Sequence, residues 1–97
     1  MGNWNKKVDT NQKSIVEAIR KCGGSACSIA SLGHGVPDLI VGHRGQTVLV
    51  EVKHPKTEMN AMQREWAAKW QGSPVCVVRS PEEAKRLLDN LGGGYPR

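Results

Sequence analysis

Residues 37 to 53 read PDLIVGHRGQTVLVEVK, two apolar runs separated by a turn, and no other stretch of the chain limits its fold as much. Gly42-His43-Arg44-Gly45 has the chemistry of a tight turn, and the run from Thr47 to Lys53 after it, rich in β-branched residues, is the strongest strand signal present. Pro37 cannot donate to a sheet ladder but can open a strand, so Asp38-Leu39-Ile40-Val41 is expected to pair with that run as a hairpin. Side chains alternate along a strand, which puts Val48, Val50 and Val52 on one face and Leu49, Glu51 and Lys53 on the other. Both faces begin apolar, so the second strand of the hairpin belongs in the middle of a sheet. Its second face then ends on an acid and a base, next to an acid at the head of the paired strand.

The flanking segments supply the cover for such a sheet. Ile15, Val16, Ile19 and Cys22 recur at helical spacing, and Asp9 with Gln12 has capping-box spacing, so a first helix is predicted from Asp9 to Cys22, closed by Gly23-Gly24. Residues 25 to 32 read as an edge strand or an extended stretch. After Pro55 a second helix is expected from about Asn60 to Trp70, with Met62, Trp66, Ala67 and Trp70 as its buried stripe and Asn60 with Gln63 as its capping pair. Val75 to Val78 is apolar throughout, as in a parallel strand covered on both faces, which completes a βαβ crossover. Ser80-Pro81-Glu82-Glu83 then supplies an N-cap, an N1 proline and an N3 glutamate to a last helix facing inward through Ala84, Leu87, Leu88 and Leu91 and ended by Gly92-Gly93-Gly94. The order gives an α/β fold with a mixed β-sheet flanked by helices. The expected organisation is an N-terminal tail over 1–8, one domain over 9–91 and a C-terminal tail over 92–97.

Composition narrows the classes. Ninety-seven residues fit one core and not two. No apolar run approaches the roughly 20 residues that cross a bilayer, and MGNWNKKVDT lacks the apolar stretch of a signal peptide, so a cytoplasmic location is expected. Cys22, Cys27 and Cys76 are odd in number and contain no CxxC pair, which gives neither a disulfide framework nor a zinc set; they read as reduced, half-buried small hydrophobes. Fourteen Lys and Arg against nine Asp and Glu leave a charge of +5, which favours an anionic partner, with nucleic acid first.

Hairpin pairing brings Asp38, Glu51 and Lys53 into one neighbourhood, and two readings follow. One is a surface salt bridge between Glu51 and Lys53 at a frayed strand end, worth little. The other is chemical. Two carboxylates and a strand carbonyl such as that of Val52 form a partial hard-oxygen shell for Mg²⁺, completed by water and phosphate. A metal there lowers the pKa of bound water, and the Lys53 ammonium can orient that water or stabilise charge on a scissile phosphate. This second reading describes a phosphodiester hydrolase.

Pro37-Asp38 followed after twelve residues by Glu51-Val52-Lys53 resembles the PD-(D/E)XK nuclease signature. Taken with Gln63 and Trp66 in MNAMQREW and with PVCVVRSPEEA over 74–84, residues 9 to 91 look like the small stand-alone VRR-NUC proteins, many of them phage-encoded. The resemblance implies a restriction-endonuclease-like αβββαβ core and a Mg²⁺- or Mn²⁺-dependent DNA endonuclease. It implies structured DNA such as four-way junctions as substrate, and a homodimer. By the same resemblance Asp38 and Glu51 are metal ligands with the Val52 carbonyl, Lys53 is the catalytic lysine, and Gln63 is the glutamine that opens the following helix close to the site. Gln63 also has the alternative role of helix cap. The family's acidic or amide residue in helix one falls nearest Gln12, and Ser14 stands where a glutamate is common. Glu17 is the nearest acid, but it has Lys13 and Lys21 four residues to either side and equally reads as part of a solvated ion-pair face.

The histidines His34, His43 and His54 have no compact ligand spacing. His34 and His54 border the two halves of the signature and, with Arg44, Lys56 and Arg64, are candidate DNA contacts. Trp66 and Trp70 read as core or as base-stacking platforms. The competing class is a DNA-binding or assembly module that keeps the fold and has lost the chemistry. Against it stands the intact acid, acid and lysine trio.

Overall fold

The computed structural model describes the backbone of residues 3–93 and the side chains of residues 10–91. Helix α1 (Asn3–Lys21) is followed by strand β1 (Ser25–Ser28), a 3-10 turn at Ala30–Leu32, strands β2 (Leu39–His43) and β3 (Gln46–Val52), helix α2 (Ala61–Lys69), strand β4 (Cys76–Val78) and helix α3 (Pro81–Gly93). The sheet order is β1-β2-β3-β4, antiparallel through β3 and parallel between β3 and β4. β3 is therefore central, and α2 is the crossover that a parallel neighbour requires. Three helices flank the mixed sheet, the arrangement of a restriction-endonuclease-like core.

The hairpin forms where two positive φ angles are tolerated. His43 pairs with Gln46, and Arg44 and Gly45 between them have φ of 52° and 82°, the two-residue turn whose twist matches the strands. Leu39, Val41, Val48 and Val50 turn one sheet face toward Ile15 and Ile19 of α1 and Ala84 and Leu88 of α3, forming the closed core with Val78. Leu87 and Leu91 pack at its margin. Ser80 caps α3 through the Glu83 amide at 3.1 Å, while the Glu83 carboxylate accepts from the Arg79 N–H at 2.8 Å.

Several expectations change. α1 begins at Asn3 and not Asp9, so residues 3–8 are helix and not tail, and the Asp9–Gln12 pair lies inside the helix instead of capping it. No Gly or Pro interrupts Asn3 to Lys21, and a nucleated helix extends at little cost until a breaker stops it. That breaker is Gly23, with φ of 91°; the Gly24 N–H donates to the Ile19 carbonyl and the Gly23 N–H to that of Arg20, a Schellman closure. Residues 25 to 32 divide into β1 and the 3-10 turn. Gly92 and Gly93, expected to end α3, form its last residues.

The larger correction concerns α2. It has no buried residue: Met62 is 58% exposed and Trp70 43%, so the stripe of Met62, Trp66, Ala67 and Trp70 is not a core stripe. Trp66 and Trp70 stack on each other instead, 4.9 Å between ring centroids. The sheet face below carries Ile40, Leu49 and Glu51, and a cleft of about 290 Å³ stays open between Ile40, Leu49, Trp70 and Ser73. β4 is an edge strand, half-buried at Cys76 and Val77, and not covered on both faces. Cys22 and Cys76 are half-buried as expected, but Cys27 on β1 is exposed.

Candidate active site

The site lies where β2 and β3 part. Their ladder ends at Leu39 opposite Val50, and one residue beyond it the Asp38 carboxylate takes over, accepting the Val52 N–H at 2.8 Å. The N–H and C=O of an extended residue lie on the same strand edge, so the Val52 carbonyl faces the same gap as Asp38. On its other edge β3 continues to β4, with the Lys53 N–H donating to the Val78 carbonyl at 3.0 Å. The end of the strand is thus held on both sides and is not frayed.

Glu51 is only 2% exposed although it is charged at neutral pH in an ordinary setting. Its Oε2 accepts from the Gln63 amide at 2.9 Å and lies 3.4 Å from the Lys53 ammonium. Burial pushes its pKa up to about 7, with the Asp38 charge and a carboxyl contact to Asp38 adding to the rise and Lys53 opposing it. The Glu51–Lys53 pair exists, but with one partner buried it is not the exposed bridge of small worth.

Gln63 closes the cap of α2 and also reaches Glu51. Its Oε1 accepts from the Asn60 N–H and its backbone N–H donates to Asn60 Oδ1, both at 2.9 Å, closing a capping box, while its Nε2 reaches Glu51. A side-chain amide can do this because it has an acceptor and two donors on one planar group. The cap therefore fixes the donor that orients Glu51. The first turn of α2 is packed against Gly35, whose φ is 86° and whose absent Cβ would lie 2.5 Å from the Met62 carbonyl. Only glycine fits there.

One cavity of about 320 Å³ is lined by Asp38, Glu51, Val52 and Lys53 from the hairpin, Gln63 from α2, Gln12 from α1, and His54 with Thr57 from the following turn. Of the residues singled out from sequence, Glu17 is exposed and does not line it, nor does it form an ion pair with Lys13 or Lys21. His34 borders a separate cleft with Met62, Glu65 and Trp66. Arg44 is at the hairpin tip, at the far end of the ladder from Asp38, and Lys56 is exposed on the turn that carries Thr57. Arg64 is exposed on α2, with its guanidinium donating to the Met59 carbonyl.

Three contributors have no signal in the sequence. Asn11 donates from α1 to the Lys53 carbonyl at 3.1 Å, tying the first helix to the signature strand. Thr57 closes the His54 turn through its hydroxyl, accepting from the His54 N–H at 3.0 Å and donating to its carbonyl at 3.1 Å. Arg79 holds that turn from the end of β4, donating to the Thr57 carbonyl at 2.9 Å and pairing with Glu58 at 3.1 Å. Each acts across more than twenty residues or through a backbone atom, and neither relation leaves a spacing to read.

The donor set suits a hard divalent cation. Two carboxylates and a carbonyl face one gap, and a buried acid pressed by a second acid is stabilised when a cation replaces its proton. Among the described residues no three His, Cys, Asp or Glu side chains gather at one point, so water and substrate phosphate would complete the shell. A scan against protein-family models matches the VRR-NUC domain over residues 1–81. Searches of curated proteins and of solved structures give no significant match.

Proposed function

The chain belongs to the VRR-NUC family, a nuclease family whose partner is DNA, and we propose that it is an endodeoxyribonuclease dependent on Mg²⁺ or Mn²⁺. The observation that carries this reading is the convergence of Asp38, Glu51, Lys53 and Gln63 on one cavity, with Glu51 buried at its floor. A divalent ion bound by Asp38, Glu51 and the Val52 carbonyl would polarise a phosphate and acidify a water. Lys53, held beside Glu51, stabilises negative charge gathering on the phosphate or orients the attacking water. Gln63 fixes the Glu51 carboxylate, and the Val52 N–H fixes that of Asp38. Among the lining side chains Thr57 alone carries a hydroxyl, and it is engaged with the His54 backbone. The proposed nucleophile is a water, with no covalent intermediate.

Structured DNA such as a four-way junction is the proposed substrate, and the cytoplasm the proposed location. Among the described residues no helix is long and apolar enough to cross a membrane. The test is a panel of duplex, flap and four-way junction DNAs incubated with Mg²⁺, Mn²⁺ or EDTA. Metal-dependent cleavage, fastest on the junction, is expected. Absence of cleavage with every metal would leave a binding module and overturn the proposal.

The acting form is proposed to be a homodimer. One site in one 97-residue chain cuts one strand, so paired cuts need two copies, and a two-fold dimer matches the symmetry of a junction. The incompletely covered face supports this: Ile40, Met62 and Trp70 are 38%, 58% and 43% exposed on the α2 side of the sheet. Sedimentation equilibrium at micromolar concentration should give twice the 10.6 kDa chain mass. A monomer that still makes coordinated cuts would refute it.

A further inference from the structure

A second groove, of about 340 Å³, runs between α1 and the outer edge of β1 and meets the site cavity at Gln12, which lines both. Its helix side is one face of α1, Gln12, Lys13, Val16 and Arg20, roughly 12 Å long at 1.5 Å per residue. Leu39, almost fully buried, and Val16 form an apolar floor. Lys13 and Arg20 are exposed on the rim, and neither forms an ion pair among the described residues.

The strand side adds donors. β1 is an edge strand, and Arg20 reaches the Ala26 carbonyl at 3.3 Å, so the polar groups of Ala26 point away from β2. Because successive residues alternate between edges, those of Ser28 point the same way, while the Ile29 N–H turns inward to the Asp38 carbonyl at 2.8 Å. The N–H groups of Ala26 and Ser28 therefore face the groove beside two cations and the Gln12 amide. A surface of donors and positive charge over a narrow apolar floor is complementary to a sugar-phosphate chain.

We propose that this groove is a nucleic-acid subsite that holds the phosphodiester backbone flanking the bond in the site cavity, with Lys13 and Arg20 neutralising its phosphates. The proposal rests on the nuclease reading for its register but not for its measurement. The strand would pass Gln12 at the mouth of the cavity, so the groove sets which phosphate reaches Asp38 and Glu51.

The test is fluorescence anisotropy of a labelled oligonucleotide in EDTA, titrated at several salt concentrations, with the full chain and no cleavage to confuse it. Lys13→Ala/Arg20→Ala should raise Kd at least tenfold and lower the slope of log Kd against log salt by about 1 to 2, one for each phosphate no longer neutralised. Lys13→Arg/Arg20→Lys should restore most of both. Lys85→Ala/Arg86→Ala on α3 removes the same charge outside the groove and serves as the comparison. If the two alanine pairs weaken binding equally, or if the groove pair changes neither Kd nor slope, the subsite is refuted. If wild type binds in this manner but cuts no DNA with any metal, the nuclease reading falls and the subsite stands.

Discussion

Replacing Asp38 by Asn, or Lys53 by Ala, is expected to reduce DNA cleavage by at least 10²-fold, a typical cost of removing one transition-state charge interaction, while the chain stays folded and bound to DNA. The two variants differ in what they leave behind. Asn keeps an oxygen for the Val52 N–H, now 2.8 Å from the Asp38 carboxylate, so the end of β3 stays anchored while a charge that would face the proposed metal and phosphate disappears. Removing it should leave DNA affinity unchanged or tighter. Lys53→Ala takes away the ammonium 3.4 Å from Glu51 but leaves the Gln63 amide on that carboxylate. Plasmid nicking at saturating Mg²⁺ measures the rate, far-UV circular dichroism the fold, and anisotropy in EDTA the binding. Wild-type turnover by either variant would remove that residue from the site.

The parts of this site that were legible in the sequence are those fixed by local periodicity. Alternation along Thr47 to Lys53 put Glu51 and Lys53 on one face, and the turn at Arg44-Gly45 set the register that carries Asp38 to the end of β3. The cap spacing of Asn60 and Gln63 was also readable, because a capping box is closed within four residues. The position of α2 over the sheet was not. Its pattern of Met62, Trp66, Ala67 and Trp70 satisfies a buried stripe, but periodicity states only which side is apolar, not what covers it. The start of α1 was misplaced because Asp9 and Gln12 have cap spacing inside a segment that nothing interrupts. Glu51 illustrates the deeper limit: sequence put it on the right face, but its burial depends on Gln63 and on the parted strands around Asp38, which meet only in the fold.

That burial makes the stability of the metal-free protein depend on pH. An unfolded glutamate titrates near 4.3, whereas in the fold Glu51 is pushed up to about 7, chiefly by burial and then by Asp38. The folded chain thus holds this proton more tightly than the unfolded one, so the stabilisation is complete below the unfolded pKa and is lost as pH rises through 7. Between pH 5 and pH 8 the loss should be on the order of 1–3 kcal/mol, several degrees in Tm for a domain of this size. Glu51→Gln isolates it: glutamine keeps an oxygen for the Gln63 amide and cannot ionise. In EDTA the variant should melt above the wild type at pH 8, and the gap should stay nearly level down to about pH 7 and then narrow steadily toward pH 5. A gap that is constant with pH, or reversed at pH 8, would mean that Lys53 fully compensates the buried carboxylate. Mg²⁺ should raise the wild-type Tm more at pH 8 than at pH 5, because the cation competes with the proton for the same oxygens, and should leave Glu51→Gln nearly unmoved. On the proposed reading, the acid that weakens the empty fold is the one that would bind the ion, which would account for a central strand ending on a buried glutamate.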